Sequence, residues 1–257
     1  MDQVNVSIIM PAYNCERTAR EAIASVLSQT VLDWELIIID DYSSDKTMSI
    51  VREESQKDKR IHVLRNKVNS GVAVTRNRGL DLAIGQYISF IDSDDLWEPD
   101  KLEKQIKCIE GSGADLCYAS YDYINLDGSL TGSRYQAPTT TTYEDMLCEN
   151  SVGLSTVLVN RESLGSLRFE SQWFHEDYVL WLRLLRSGKL FCGLSDFLVH
   201  NRIGGRSSNK LQAAKYRWKI YRHSERIPFP KALRYFSRYI MNGMRKYGPA
   251  ARKEEKR

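Results

Sequence analysis

Asp92-Ser93-Asp94-Asp95 sets carboxylates one residue apart in a turn that follows the apolar run Tyr87 to Ile91. Oxygens at this spacing suit a hard divalent cation, Mg²⁺ or Mn²⁺, which keeps several waters and takes one or two carboxylates plus phosphate oxygens. Asp40-Asp41-Tyr42-Ser43-Ser44-Asp45 ends another apolar run and opens a helix. Ser44 or Asp45 can cap that helix, which leaves a carboxylate able to accept the N–H of a nucleobase. Thr75-Arg76-Asn77-Arg78 carries two guanidinium groups into the helix that follows Gly71. An arginine beside a metal-bound diphosphate neutralises charge and donates paired hydrogen bonds. Glu176-Asp177 opens a later helix, where the macrodipole favours acids and where a carboxylate can also act as a general base. Taken singly, these clusters read as a polar turn, an N-cap, a surface ion pair and a dipole contact. A common placement at strand ends shifts the balance toward a metal–diphosphate site.

The elements that must position these residues alternate strand and helix. A strand at Val6 to Met10 is followed by a helical pattern through Ala22, Ile23, Val26 and Leu27, then by a strand at Glu35 to Asp40. The pattern continues with a helix from Asp45 to about Gln56, a strand at Ile61 to Arg65, a helix from Gly71 to Ala83 and a strand at Tyr87 to Ile91. Such alternation predicts an α/β fold with a mostly parallel sheet, helices on both faces and a ligand crevice at the carboxyl ends of the strands. Tyr13-Asn14, Asp40-Asp41 and Asp92 to Asp95 all fall at such ends.

Past Glu110 the alternation fades into a strand at Asp115 to Ala119, a polar stretch Thr139 to Thr142 and an apolar segment Gly153 to Val159. A helix runs from Glu176 to near Gly188. Residues 1–110 read as one half that carries these strand ends, 111–209 as a second, mixed half of the same domain that completes the cleft, and 210–257 as a helical tail. The tail pattern sets Leu233, Phe236, Ile240, Met244 and Tyr247 on one face, with Arg234, Arg238, Arg245 and Lys246 between.

The 257 residues are 42% hydrophobic and 27% charged, which excludes collagen-like, disordered and disulfide-scaffold classes. A net charge of +4 conceals an asymmetry: residues 210–257 hold 15 Lys+Arg against 3 Asp+Glu, a net of +12, leaving −8 on the rest. A basic amphipathic helix binds anionic headgroups, so the tail is expected to meet a membrane surface; packing on the core or contact with nucleic acid are its alternatives. No apolar run reaches the eighteen or so residues of a membrane span, and the first strand begins too early to leave room for a signal peptide. The expected location is cytoplasmic, peripheral on the inner membrane face. Cys15, Cys108, Cys117, Cys148 and Cys192 are scattered, without a CxxC pair or a suitably spaced His, and read as reduced thiols.

Together the clusters resemble the family 2 inverting glycosyltransferases of the GT-A fold, a Rossmann-like, mostly parallel sheet flanked by helices. The resemblance is carried by Val6 to Asn14, Ile39 to Asp45, Asn69-Ser70-Gly71 with Thr75-Arg76-Asn77, Phe90 to Asp95, and Glu176-Asp177, in order over about residues 4–205. It implies that residues 1–110 are a nucleotide-sugar-binding half and 111–209 an acceptor-binding half of one domain, that Pro11, Tyr13 and Asp41 hold the uracil of a UDP-sugar and that Arg76 meets base or diphosphate. It implies Asp92 at the ribose and metal shell, Asp94 as a ligand of Mn²⁺ or Mg²⁺, and a catalytic base from Glu176-Asp177, Asp177 being favoured. Where many relatives carry Arg-x-His, this chain has His200-Asn201-Arg202-Ile203-Gly204, so Arg202 stands at the arginine position and Gly204 where the histidine would be.

The segment from Arg206 to Arg222 is similar to bacterial enzymes that build O-antigen repeat units on undecaprenyl diphosphate. That implies glucose delivered in β linkage to an N-acetylhexosamine-diphospho-undecaprenol. A phosphatase with Asp92 as nucleophile would want its DxD on the first strand, and a nucleotidyltransferase or dehydrogenase would want a glycine-rich loop where Pro11-Ala12-Tyr13-Asn14 stands. A non-catalytic sugar-nucleotide adaptor would have no use for Glu176-Asp177.

Overall fold

The computed structural model describes residues 4–204 and 210–247. The first apolar runs form β1 (Val6–Ala12), β2 (Trp34–Asp40), β3 (Ile61–Arg65) and β4 (Tyr87–Phe90), with β2, β3 and β4 each paired parallel within the set β3-β2-β1-β4. All seven residues of β1 and all seven of β2 are buried, as a parallel strand covered on both faces requires. Side chains alternate between the two faces. Ile8 and Met10 join the core under α1 (Ala19–Leu27) and α2 (Thr47–Lys57), while Ile9, Ile37 and Phe90 join the core that includes α3 (Val72–Leu82). Gly79 permits that second contact, because a Cβ there would stand 2.5 Å from Ile9 Cγ2.

A two-residue strand β5 (Leu96–Trp97) and α4 (Lys101–Ser112) lead into β6 (Leu116–Ile124) and β7 (Leu130–Tyr135). β6 runs five residues past the end expected at Ala119, because the twelve-residue β9 (Phe191–Arg202) pairs with it in parallel across shifts at Ala119 to Tyr121. The apolar segment Gly153 to Val159 splits into a 3₁₀ turn and β8 (Leu158–Asn160), which lies antiparallel between β4 and β6. Among the described residues the sheet has nine strands in the order β3-β2-β1-β4-β8-β6-β9-β5, with β7 beside β6. The two halves of the chain thus share one sheet. Short α5 (Tyr143–Cys148) and α6 (Arg161–Leu164) precede α7 (Glu176–Arg186), whose Trp181 packs with Phe90 and Phe169.

The carboxyl-terminal part forms α8 (Lys210–Lys219), a π turn (Ile220–Ser224) and α9 (Phe229–Tyr247). α9 docks on the body through Ala232 and Phe236, the latter 5.3 Å from the Trp218 ring. The single face expected for Leu233, Phe236 and Ile240 divides: Phe236 packs inward while Leu233 and Ile240 stay exposed. At 3.6 residues per turn Leu233 and Ile240 lie within about 20° of each other, and Phe236 is about 60° away. Arg206 to Asn209, and the side chains of Met244, Arg245, Lys246 and Tyr247, lie outside the described residues. No described helix is long and apolar enough to cross a membrane.

Candidate active site

Because β1, β2 and β4 are parallel, their last residues reach one margin of the sheet. The ladder extends beyond them: Asp41 N donates to Ala12 O at 2.8 Å, and Asn66 N donates to Asp40 O at 2.8 Å. Asn14 and Tyr42 turn the chain just there with φ of 46° and 65°, a region that non-glycine residues seldom occupy. Bonds between the two loops secure the turn, from Asn14 N to Ser43 Oγ at 3.0 Å and from Ser44 N to Asn14 Oδ1 at 2.9 Å. Tyr13 and Tyr42 stand half-exposed beside them, and Pro11 is buried in β1.

The two acids that end β2 have separate duties. Asp40 is fully buried and faces Arg65 Nε at 3.0 Å. Asp41 is also buried, and accepts Asn66 Nδ2 at 2.7 Å, Ser70 N at 2.8 Å and Gly71 N at 2.8 Å. A carboxylate offers about four lone-pair sites, and these bonds take three of them. Gly71, with φ of 83°, is the N-cap of α3, and its bond to Asp41 sets the helix that carries Arg76.

Arg76 is buried between acids from two other parts of the chain. Its Nη2 lies 2.6 Å from Asp92 Oδ1 and its Nη1 lies 2.5 Å from Glu176 Oε1. Burial alone would lower the guanidinium pKa; the charges of Asp92, Glu176 and Asp177 outweigh it and hold it above the ordinary value. Both amino groups of Arg76, the residue that the family resemblance sets against a base or diphosphate, are engaged by carboxylates. Arg78 instead braces the loop, donating to Arg65 O and Asn66 Oδ1, both at 2.8 Å.

The Asp92 to Asp95 loop is fixed from behind. Asp95 is buried and accepts Ser155 Oγ at 2.6 Å and Arg202 N at 3.0 Å. Burial, then the charges of Asp92 and Asp94, push its carboxyl well above the usual range. Arg202 spends its donors inside the protein, on Asp94 O at 2.8 Å, on Asn125 O and Leu126 O, and on Glu21 at 2.7 Å. His200 faces Glu98 at 2.8 Å. Asp92 and Asp94 remain partly open, and burial followed by the Asp92 charge raises the Asp94 carboxyl. Two hard oxygen donors that repel each other fit Mg²⁺ or Mn²⁺, which would relieve that repulsion.

The profile of Glycosyl transferase family 2 matches residues 7–162, well over half of the chain. The chain belongs to glycosyl transferase family 2. This family 2 enzyme is 37% identical over 243 residues to a putative teichuronic acid biosynthesis glycosyltransferase, TuaG, of Bacillus subtilis, covering 94% of this chain and 96% of that one. It is also 37% identical over 251 residues to the Escherichia coli UDP-Glc:alpha-D-GlcNAc-diphosphoundecaprenol beta-1,3-glucosyltransferase WfgD, covering 96% of each. Its fold is the GT-A fold, shared with S. aureus TarS 1-349 in complex with UDP-GlcNAc at a TM-score of 0.70 and 18% identity, over 98% of this chain and 78% of that one. A longer TarS chain matches over only 43% of its length.

Several residues that shape the glycosyltransferase's crevice carried no signal when read along the chain. Asn66 holds Asp41, and Ser155 holds both Asp95 and the Asp92 N–H, which donates to its Oγ at 3.1 Å. Asp95 had a signal, its place in the acidic run, but nothing local shows that it turns inward. Glu176 is buried against Arg76, while its neighbour Asp177 is only partly buried.

Proposed function

We propose that this glycosyltransferase moves glucose, with inversion, from UDP-glucose to an N-acetylhexosamine-diphospho-undecaprenol, building a β-linked repeat unit of a bacterial polysaccharide such as O-antigen. The observation that carries this reading is the sharing of acids around Arg76. Asp92 and Glu176 pair with the two amino groups of Arg76, and the charge of Asp177, the more exposed of the two neighbouring acids, adds to theirs in holding the guanidinium charged. The printed specificity of WfgD supports the choice of donor and acceptor.

In this scheme the remaining lone pair of Asp41 accepts the uracil N–H, with Pro11 and Tyr13 forming the turn against the base. Asp92 and Asp94 would hold Mg²⁺ or Mn²⁺, with Asp92 also near the ribose. When bound, that ion supplies charge neutralisation for the leaving diphosphate. Arg76 holds Asp92 and Glu176 in register and adds positive charge beneath the diphosphate. Asp177 removes the proton of the acceptor hydroxyl, which attacks the anomeric carbon opposite UDP; one displacement inverts the centre. Purified protein with Mn²⁺ is expected to release UDP from UDP-glucose faster than from other UDP-sugars, and to yield a β-linked product on the lipid-linked acceptor. No UDP release from any UDP-sugar, with or without acceptor, would favour a sugar-nucleotide adaptor.

The same reading places the enzyme at the inner face of the cytoplasmic membrane. Phe229, Leu233, Ile240 and Met241 are exposed along α9, and exposed Lys231, Arg234 and Arg238 lie among them. Apolar side chains flanked by cations suit an anionic bilayer surface. Replacing Leu233, Ile240 and Met241 by Ser is expected to weaken co-sedimentation with anionic vesicles roughly tenfold or more, since burying one leucine side chain is worth ~1.5 kcal/mol or more. Turnover on a short-chain soluble acceptor should stay close to that of the parent. Unchanged sedimentation would remove α9 from the membrane contact.

A further inference from the structure

Three of the five cysteines that looked scattered meet at the end of the sheet away from the donor crevice. Cys117 and Cys192 are register partners near the starts of the parallel strands β6 and β9, and α4 lays Cys108 across them. β6 runs in the same direction as β4, because each is antiparallel to β8, so the start of β6 lies opposite the margin that carries Asp92. The three sulfurs lie within 4.8 Å of one another, and Cys108 Sγ is 2.7 Å from Cys192 Sγ. Cys117 and Cys192 are buried, whereas Cys108 is half-buried and offers an entry path.

We propose that Cys108, Cys117 and Cys192 form a three-thiolate site for a soft, low-coordinate cation, copper(I). The donor type excludes the hard ions suited to Asp92 and Asp94, which take oxygen ligands, and thiolates select copper(I) or zinc. Structural zinc is four-coordinate, and among the described residues no histidine, carboxylate or fourth cysteine joins the group. Metal–sulfur bonds of about 2.3 Å around a trigonal ion would set the sulfurs roughly 4 Å apart, so the trio needs adjustments on the order of 1 Å.

The charge balance also fits. Binding converts three thiols and Cu⁺ into a trithiolate complex of charge −2, with three protons released to solvent. Lys101, fully buried on the same helix, has no carboxylate partner among the described residues; its Nζ meets Ser89 Oγ at 3.1 Å and the Trp97 ring at 3.7 Å. Burial pushes this ammonium well down and a Cys117 thiolate opposes the push, so thiolate formation at the trio would stabilise the lysine charge. A bound ion would staple α4 to β6 and β9. α4 follows the Asp92 to Asp95 loop in the chain, and β9 ends in Arg202, which grips that loop.

The test is competition of the reduced, anaerobic full-length protein for copper(I) held by bicinchoninate. One copper(I) per chain should be withdrawn, with three sulfur neighbours in its X-ray absorption spectrum and a raised melting temperature, since a ligand that binds only the folded state stabilises it. Cys108→Ser and, separately, Cys117→Ala, which keeps the core apolar, should each weaken uptake by about tenfold or more, the scale on which metal sites respond to lost support. Cys148→Ser should have no effect. No withdrawal of copper, equal withdrawal by the Cys108 and Cys117 variants, or uptake of Zn²⁺ but not copper(I) would each overturn the assignment.

Discussion

Asp177→Asn is expected to lower glucosyl transfer by roughly 10²–10⁴-fold, the range that a positioned general base contributes, while leaving UDP affinity within about twofold. The substitution keeps the shape of the side chain and removes its ability to take a proton. It also spares Glu176, whose carboxylate stays with Arg76 at 2.5 Å, so the donor side of the crevice is preserved. Single-turnover transfer measured beside UDP binding by calorimetry separates the two effects. If UDP binding falls in step with transfer, Asp177 belongs to the donor site and the base lies elsewhere. Glu176→Gln makes the informative companion. It removes the partner of a buried cation, so it should weaken donor binding and stability as well as rate.

Arg76→Met should be the most damaging single change to the folded state, at about 3–5 kcal/mol, because it leaves a buried carboxylate without its counter-ion. Glu176 is as deeply buried as Arg76, and no water can replace the guanidinium cheaply. Denaturant unfolding measures the loss. The double variant Arg76→Met with Glu176→Leu should recover most of it, since exchanging both members of a buried pair for apolar groups is often neutral or stabilising. It should remain inactive, because Asp92 is then unsupported. A single variant as stable as the parent would show that the Arg76–Glu176 pair contributes nothing to the fold.

Much of residues 1–110 was legible because the signals there are local. β1, β2 and β4 were found within a residue or two of their observed ends from apolar runs alone, and their parallel direction followed from the helices between them. Tyr13, Asp41 and Asp92 to Asp95 followed as strand-end residues. Residues 111–209 were harder to read. β6 appears too short when judged by composition, because Ser120 and Asp122 interrupt the apolar run in its second part, which depends on β9, a strand that arrives some seventy residues later. α9 was found as a helix, yet the division of its faces depends on Trp218 and the body beneath it.

Periodicity and strand-end chemistry, properties of neighbours in the chain, determined by themselves that this is an α/β protein with acids and arginines along one sheet margin. Only the tertiary structure decided which of those charges meet one another. Arg76 meets Glu176 across 100 residues, Arg202 reaches back 107 residues to Asp95, and three cysteines on α4, β6 and β9 become one cluster. The ionic state and reactivity of a side chain depend on the few groups within a few ångströms and on the exclusion of water, and both are set by long-range packing.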